Sequence, residues 1–280
     1  MIATTTSLSD NNIIVNNIIV NNMSTARRTY FISDLHLGAN YIANPRLHEG
    51  RVVSFLQSIE HDADELYLVG DIIDYWYEYK YVVPRGYIRF FGQLAKMADA
   101  GVKITWFTGN HDVWLFDYLR DEIGMTVVKS NSIVEIKGKK FLLSHGDDVG
   151  QQPARYRFMR WCFYNKVCQV LYESIHPRWS YALAHLWSSE NRTNRSQAHI
   201  DKGVERSLKH LTEFVEQHAG EHPEVFAYIF GHLHVARDLT LAGGKRMVVL
   251  GEWIEQCTYC TFDGELLEMH KFDGAVISAT

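Results

Sequence analysis

The amino-acid sequence predicts an α/β fold in which a mainly parallel β-sheet is flanked by helices. In the first half of the chain, short apolar runs rich in β-branched and aromatic residues alternate with segments of helical periodicity, which is the pattern of βαβ units. In the second half, closely spaced strand-like runs are separated by turns such as Gly243-Gly244, and a long helical segment precedes them. These two observations together predict a sheet whose functional edge lies at the carboxyl ends of its strands.

The individual elements follow from local periodicity. Strands are expected at Thr29–Ser33, Glu65–Val69 and Lys103–Thr108, and further strands within Ser132–Ser144 and Phe226–Lys271. Two helices are predicted between the first three strands by apolar residues at helical spacing: Val52, Phe55, Leu56 and Ile59, then Ile88, Phe91, Ala95 and Ala98. A third helix before Phe226 is predicted by Ile200, Val204, Leu208, Leu211 and Val215.

Composition limits the domain organisation. The chain has 280 residues, of which 46% are hydrophobic, so it can form one large domain with an insertion. Residues 1–27 are expected to be a disordered leader or an extension before a start at Met23. Residues 28–152 and 197–280 are expected to form the core, and residues 153–196 a helical insertion. The net charge of −5 argues against broad nucleic-acid binding, and no apolar run is long enough to span a membrane.

The four cysteines indicate a reducing compartment, because no secretory signal precedes them. The Cys257–Cys260 spacing suits redox chemistry or zinc binding. Without a second pair of the same spacing, buried and inert thiols are the favoured interpretation.

Five predicted strands are followed by side chains that can bind metals: 32-ISDLHLG-38, 68-LVGDIIDYW-76, 107-FTGNHDVW-114, 143-LSHGDD-148 and 228-YIFGHLHVAR-237. Mixed carboxylate, imidazole and amide ligands suit Mn²⁺, Fe²⁺, Zn²⁺ or Mg²⁺ better than a thiolate site would. Two such ions about 3.5–4 Å apart can activate water near neutral pH and stabilise the charge of an in-line phosphoryl displacement. Neighbouring glycines, among them Gly109 and Gly231, are expected to let the backbone turn tightly.

Each of these residues also has a simpler interpretation. Asp34 and Asp71 could cap the helices that follow their strands, Asn110 could be a turn residue, and His145 could be an ordinary core or surface histidine. Their joint occurrence at strand ends favours a metal site. Three further carboxylates could either cap helices or accept hydrogen bonds from the ligand histidines: Asp74, Asp112 and Asp147.

The blocks D-x-H, G-D-x-x-D, G-N-H-D, H-G-D and G-H-x-H, in this order, resemble the calcineurin-like metallophosphoesterase superfamily over roughly residues 29 to 255. The resemblance implies a two-sheet sandwich flanked by helices, with an inserted helical lid. It implies an enzyme with two divalent metal ions, Mn²⁺ in the first place, with Mg²⁺, Fe²⁺ or Zn²⁺ as alternatives. The implied ligands are Asp34, His36 and His234 for one ion, Asn110, His145 and His232 for the other, and Asp71 as the bridge. His111 would act beside the scissile phosphate as a general acid or transition-state stabiliser.

The insertion has an unusual composition. Residues 154–195 contain seven Arg or Lys against two acids, together with nine aromatic residues. One helical face is expected from Met159, Phe163, Val167, Val170 and Leu171, and a second helix after Pro177 from Tyr181, Leu183, Leu186 and Trp187. A lid that buries acyl chains, with cations facing phosphate or anionic lipid headgroups, is the favoured interpretation. A hairpin packed on the sheet and a pair of RNA-binding helices are the alternatives.

Within the superfamily, the chain is most similar to the UDP-2,3-diacylglucosamine hydrolases. The similarity lies in the insertion after H-G-D and in the sequence motifs GDIIDYW and 249-VLGEW-253. Tyr156 stands eleven residues after His145, where that family has a tyrosine in its substrate cleft. The sequence departs from the pattern of that family at two places. It has His111 where many members have Arg, and the stretch between Asp148 and Tyr156 differs from their acidic pattern. The resemblance implies hydrolysis of UDP-2,3-diacylglucosamine by a cytoplasmic protein bound peripherally to the inner leaflet of the inner membrane. The implied substrate contacts are Asn110, Tyr156, Arg157 and Arg195.

Two other functions are left open. Another phosphodiesterase of the superfamily would act on nucleotides or nucleic acid. A non-catalytic scaffold would belong to a different class of protein, and it is disfavoured because all seven ligand positions and His111 are filled.

Overall fold

Two β-sheets lie face to face, and helices cover their outer faces. The computed structural model describes residues 27–150, 152–182 and 197–274. The strands are β1 Arg28–Ile32, β2 Ala63–Val69, β3 Lys103–Phe107, β4 Thr126–Val128, β5 Ser132–Ile136, β6 Lys139–Ser144, β7 Val225–Phe230, β8 Ala236–Thr240, β9 Arg246–Leu250, β10 Thr258–Phe262 and β11 Leu267–Lys271. The helices are α1 Pro45–Ile59, α2 Ile88–Asp99, α3 Tyr118–Ile123, α4 Ala154–Tyr164, α5 Lys166–Glu173 and α6 Gln197–Glu221.

The first sheet has the strand order β11-β10-β1-β2-β3-β4, and its four strands from β1 to β4 are parallel. The second sheet has the order β5-β6-β7-β9-β8, with β6, β7 and β9 parallel. The predicted two-sheet α/β sandwich is therefore confirmed. Since the carboxyl ends of parallel strands lie at one edge of a sheet, the loops after β1, β2, β3, β6 and β7 can supply one site.

Strand alternation explains why two sheets form. In β1, Tyr30 and Ile32 belong to the apolar core beneath α1 and α2, whereas Phe31 points into the core between the sheets. In β6, Phe141 lies between the sheets, where its ring is 4.9 Å from that of Phe262. Leu142 faces the third core, under α6. Strands that are buried on both faces are hydrophobic at nearly every position, as these are.

The first two predicted helices form, but the most buried face of the second one differs from the predicted face. In α1 the predicted residues Val52, Phe55, Leu56 and Ile59 are all buried. In α2 the fully buried apolar residues are Phe90, Leu94 and Met97, whereas the predicted Phe91 and Ala98 are partly buried against the same core and the predicted Ile88 is 80% exposed. Adjacent phenylalanines at 90 and 91 make two helical registers fit the pattern equally well, and packing on the sheet selects the first.

The insertion starts as two helices rather than one. Asn165 ends α4, and its side chain accepts hydrogen bonds from the backbone N–H groups of Val167 and Cys168, which caps α5. The predicted continuous apolar face is therefore wrong, and Val167, Val170 and Leu171 are between 61% and 68% exposed. Residues 177–182 are again helical, as predicted after Pro177. Leu183, Leu186 and Trp187 lie outside the described residues.

Aromatic contacts connect α5 to the first sheet's loops. Tyr172 stacks on Trp114 at 4.8 Å, and the indole N–H of Trp114 donates to the carbonyl oxygen of Phe163. Tyr77 donates from its hydroxyl group to the carbonyl oxygen of Gln169. Among the helices in the described part of the chain, none is long and apolar enough to cross a membrane.

Candidate metal centre

The polypeptide backbone turns sharply directly after the strands, which brings polar side chains to one edge. Five residues there have left-handed φ values between 46° and 69°: Asp34, His36, Asp71, His232 and His234. Asp and His adopt this region more readily than branched residues, yet such positions still cost about 1–3 kcal/mol each. Hydrogen bonds to the next strand's loop stabilise two of them: Asp34 N–H donates to Gly70 O and His36 N–H to Asp71 O, both at 3.0 Å. Backbone strain is therefore concentrated at the predicted ligands.

Gly109 and Gly231 have a different role from the predicted one. Neither has a positive φ, so neither is needed for a tight turn. A Cβ atom at Gly109 would lie 2.2 Å from Oδ1 of Asp71, and one at Gly231 would lie 2.7 Å from Oδ2 of Asp34. Glycine at these two positions makes room for a carboxylate that approaches from a neighbouring loop.

The first donor cluster consists of Asp34, His36 and His234, whose ligand atoms lie within 4.8 Å of one another. Nε2 of His234 is 3.4 Å from Oδ1 of Asp34 and 3.3 Å from Nε2 of His36. Asp34 and His36 follow β1 of the first sheet, and His234 follows β7 of the second. Both sheets therefore contribute to this cluster.

The second donor cluster consists of Asp71, His145 and His232, which meet the same distance limit. Nε2 of His145 lies 3.2 Å from Oδ2 of Asp71. The same carboxylate oxygen is 3.8 Å from Nε2 of His36, so Asp71 lies between the two clusters. Asn110 has a buried Oδ1 atom with no hydrogen-bond partner among the described residues.

Hydrogen bonds behind the clusters orient the imidazoles. Nδ1 of His36 donates to Asp74 Oδ1 at 3.1 Å, and Nδ1 of His145 donates to the carbonyl oxygen of Val69 at 3.0 Å. In the neutral form of each ring, a proton on Nδ1 leaves the lone pair of Nε2 directed at the cluster. The carboxylate of Asp34 accepts from Ser33 Oγ at 2.6 Å, a partner for which the sequence carries no signal.

The three carboxylates that the sequence left open have distinct contacts. Asp74 orients His36, as above, and its carbonyl oxygen also accepts from Nδ1 of His111 at 2.8 Å. Asp112 holds the G-N-H-D turn in place by accepting from the Gly109 and Ile72 N–H groups and from the Trp106 indole. Asp147 accepts from Tyr156 and Arg160 in the insertion. None of the three caps any of the helices whose caps the structure describes.

Burial and close contacts shift the pKa values of the carboxylates and imidazoles at the centre. Burial raises the pKa of Asp34 to about 7 and lowers the pKa of His36 to about 4. Burial alone would raise the pKa of Asp71, but the His145 and His111 imidazoles hold it well below its ordinary value. Burial would likewise lower the pKa of His145, and the Asp71 carboxylate raises it instead. Carboxylates and imidazoles at these distances therefore need protons or a cation between them.

Divalent metal ions fit this donor set. Within the described part of the chain, Nε2 of His145 has no hydrogen bond although a carboxylate oxygen lies 3.2 Å away, and Oδ1 of Asn110 is equally without a partner. Oxygen and imidazole donors in two adjacent clusters match the preferences of Mn²⁺, Fe²⁺ and Zn²⁺. No thiol lies in either cluster, and Cys257 and Cys260 are buried and free.

The remaining predicted residues lie around this centre or outside the described part of the chain. His111 donates its backbone N–H to Asp71 Oδ1 at 3.0 Å, and its Nε2 is 4.0 Å from Asp71 Oδ2. Tyr156 and Arg157 border a cavity of about 500 Å³ between α4 and the loop after β6. Arg195 lies outside the described residues.

The fold and these motifs define a class of protein. Residues 27–236 match the family model described as calcineurin-like phosphoesterase. The chain belongs to this family, and it is a metal-dependent hydrolase.

Two curated relatives are similar over most of the chain. A UDP-2,3-diacylglucosamine hydrolase of Porphyromonas gingivalis is 40% identical over 256 residues, covering 88% of this chain and 98% of the relative. Another protein of that name, from Nitrosococcus oceani, is 28% identical over 233 residues, covering 80% and 87% of the two chains. A crystal structure of a dimetal phosphatase from Danio rerio covers 84% of this chain and 92% of its own, at 14% identity and a TM-score of 0.42.

Substitution Gly109→Ala is expected to weaken metal binding at least tenfold, because the new methyl group displaces the Asp71 carboxylate. Ligand atoms have to stay within about 0.5 Å of their binding geometry, and the displacement exceeds this limit. Titration of the metal-free protein with Mn²⁺, followed by calorimetry, measures the change. Gly92→Ala is the matched control, since a Cβ at this glycine in α2 meets no atom within 4 Å. Equal Mn²⁺ affinities in the two variants would contradict the role assigned to Gly109.

Proposed function

We propose that the protein hydrolyses the pyrophosphate of UDP-2,3-diacylglucosamine to UMP and 2,3-diacylglucosamine 1-phosphate. The observation that carries this proposal is the pair of adjacent donor clusters joined by Asp71 in a family of phosphoesterases. Relatives that share 40% and 28% identity over most of their length bear the name of this activity. The insertion supplies the second support, because it carries exposed apolar side chains suited to acylated substrates.

Each donor cluster would hold one ion, with Asp71 shared. The ligands we propose are Asp34, His36 and His234 for one ion and Asn110, His145 and His232 for the other. When bound, two divalent ions supply an activated water and stabilise the negative charge of the phosphoryl group in the transition state. Mn²⁺ is the ion we propose, because the donors mix hard carboxylate oxygens with imidazole nitrogens.

His111 is proposed to assist departure of the leaving group. Its Nδ1 is held by the carbonyl oxygen of Asp74, which fixes the plane of the ring and leaves Nε2 at the centre. The side chain is 24% exposed, so the substrate can reach it. A hydrogen bond from Nε2 to the phosphate would stabilise charge on the leaving oxygen. Asn110, the preceding residue, would contact the same phosphate.

The insertion is proposed to bind the acylated part of the substrate. Seven of its large apolar residues in the described part are exposed: Phe158, Trp161, Val167, Val170, Leu171, Ile175 and Trp179. Single exposed apolar residues are ordinary, but a concentration on one short segment marks a binding surface. Tyr156 and Arg157 on α4, together with Arg195, are the proposed contacts to the sugar and phosphates.

The same surface is proposed to rest on the inner leaflet of the inner membrane, with the protein in the cytoplasm. A diacylated substrate resides in a bilayer, so an enzyme that extracts it has to approach the lipid surface. Aromatic residues at the headgroup level and cations such as Lys166 and Arg178 suit an anionic surface.

Purified protein with Mn²⁺ is expected to prefer UDP-2,3-diacylglucosamine over UDP-glucose and over bis(p-nitrophenyl) phosphate by at least tenfold in kcat/KM, because acyl chains add binding energy at the insertion. Steady-state kinetics on the three substrates provide the measurement. Equal or higher activity on the compounds without acyl chains would favour a phosphodiesterase of nucleotides or nucleic acid. Absence of bound divalent transition metal in the purified protein would favour the non-catalytic scaffold.

Substitution His111→Ala is expected to lower kcat by about 10²–10⁴-fold while the affinity for Mn²⁺ stays within a few-fold, because proton or hydrogen-bond donation is lost but the donor clusters remain. Kinetics and metal titration of the same preparation separate the two effects. His61→Ala provides a control, because His61 is a surface residue with an 87% exposed side chain. Full turnover in the His111 variant would contradict its assignment.

The double substitution Phe158→Ser and Trp161→Ser is expected to lower the affinity for phosphatidylglycerol vesicles by about tenfold, because two stacked apolar rings no longer enter the interface. Co-sedimentation with the vesicles measures the bound fraction. Leu266→Ser is the control, since Leu266 is 60% exposed in the turn between β10 and β11, at the opposite edge of the first sheet. Unchanged binding of the double variant would argue against this surface.

A further inference from the structure

Arg160 joins the insertion to the loop that follows β6. Its Nη1 donates to Oδ2 of Asp147 at 2.9 Å, and its Nη2 donates to Oδ2 of Asp148 at 3.0 Å. The two acids come directly after His145 and Gly146, so this side chain reaches within a few residues of the metal centre. Its guanidinium group also lies over the ring of Tyr164, 4.8 Å from the centroid. Arg160 therefore connects α4 to a loop that also carries a proposed ligand.

Two neighbouring carboxylates at this depth require a shared cation. The side chains of Asp147 and Asp148 are only 2% and 11% exposed, and they repel one another. A planar guanidinium group can donate two separate hydrogen bonds, one to each carboxylate, whereas the compact ammonium group of a lysine lacks this fixed fork. Loss of the arginine would remove the guanidinium charge from these two buried carboxylates, although Tyr156 would still donate to Asp147 and Ser144 Oγ to Asp148. The ion pairs of Arg160 therefore neutralise the carboxylates of this loop and also hold α4 beside it.

The same face of α4 carries Tyr156, four residues before Arg160 and hence one helical turn away. The Tyr156 hydroxyl donates to Oδ2 of Asp147 at 2.5 Å, the oxygen that also accepts from Arg160. Arg157 lines the cavity beside them. A shift of α4 relative to the loop would move Tyr156 and Arg157 together.

We propose that Arg160 is a positioning residue whose ion pairs with Asp147 and Asp148 hold α4 in register with the metal centre and thereby set selectivity for the acylated substrate. The effect on selectivity rests on the proposed function, whereas the attachment of α4 does not. Small phosphodiesters depend on the metal centre but not on α4. Arg160 therefore affects acylated and simple substrates differently.

Substitution Arg160→Gln is expected to raise KM for UDP-2,3-diacylglucosamine by at least tenfold and to change the kcat/KM for bis(p-nitrophenyl) phosphate by less than about twofold, because misplacement of a binding element by about 1 Å has effects of this size or larger. Hydrogen–deuterium exchange of residues 154–164 is expected to become at least tenfold faster. Arg155→Gln is the matched control, because it removes the same charge from an exposed position on the same helix. Equal KM values and equal exchange rates in the two variants would overturn the proposal.

Two further variants keep the test decisive if Arg160→Gln does not fold. Arg160→Lys keeps the charge but loses the fork, and Asp148→Asn removes one of the two ion pairs. Both variants are expected to have a higher KM for UDP-2,3-diacylglucosamine and faster exchange in α4 than Arg155→Gln, because each weakens the Arg160 ion pairs. Wild-type values of KM and of exchange in both variants would overturn the proposal. Should the wild-type enzyme show no preference for the acylated substrate, the proposed function fails. Exchange in α4 then supports or overturns the attachment by itself.

Discussion

The metal centre depends on the charge of one buried carboxylate, that of Asp71. Its Oδ2 atom lies 3.2 Å from Nε2 of His145 and 3.8 Å from Nε2 of His36, and these imidazoles follow strands of different sheets. Nδ1 of each histidine is already a hydrogen-bond donor, so in the neutral rings the lone pair of Nε2, not an N–H group, faces the Asp71 carboxylate. A divalent cation held by Asp71 and these imidazoles would relieve the repulsion between the carboxylate and the nitrogen lone pairs, and it would link the edges of both sheets. The metal centre and the packing of the two sheets are consequently parts of the same arrangement.

Such convergence requires an unusual backbone. Five of the seven predicted ligands have left-handed φ values, and glycines at 109 and 231 leave room for carboxylates. These features cost conformational stability, and the three apolar cores surrounding both faces of each sheet hold the loops in place against this cost. A rigid scaffold with strained loops at one edge presents donors in a fixed geometry before any ion binds. Little reorganisation is then needed when the metals and the phosphate arrive.

The insertion contrasts with this rigid centre. Its helices α4 and α5 contribute no fully buried residue, yet they are attached through directional contacts. The Arg160 ion pairs hold one end, and the Tyr172 ring on Trp114 holds the other. The apolar side chains of α4 and α5 consequently stay exposed, where a ligand can contact them, and are not buried in the core. Specificity for a large substrate and catalysis at the metals can therefore be controlled by different residues.

Sequence alone determined the fold class, the positions of β1, β2 and β3 and the order of the metal-binding motifs, because these depend on periodicity and on short spacings within the chain. Tertiary structure decided which face of α2 is buried, where Asn165 interrupts the insertion, and why Gly109 and Gly231 have no side chain. It also decided the partners of Asp74, Asp112 and Asp147. The physical reason is that such contacts join residues far apart in the chain, whose approach is fixed only when both sheets have packed. The metal-binding and catalytic roles of the individual residues stay predictions, although the structure brings six of the seven predicted ligands together in two adjacent clusters.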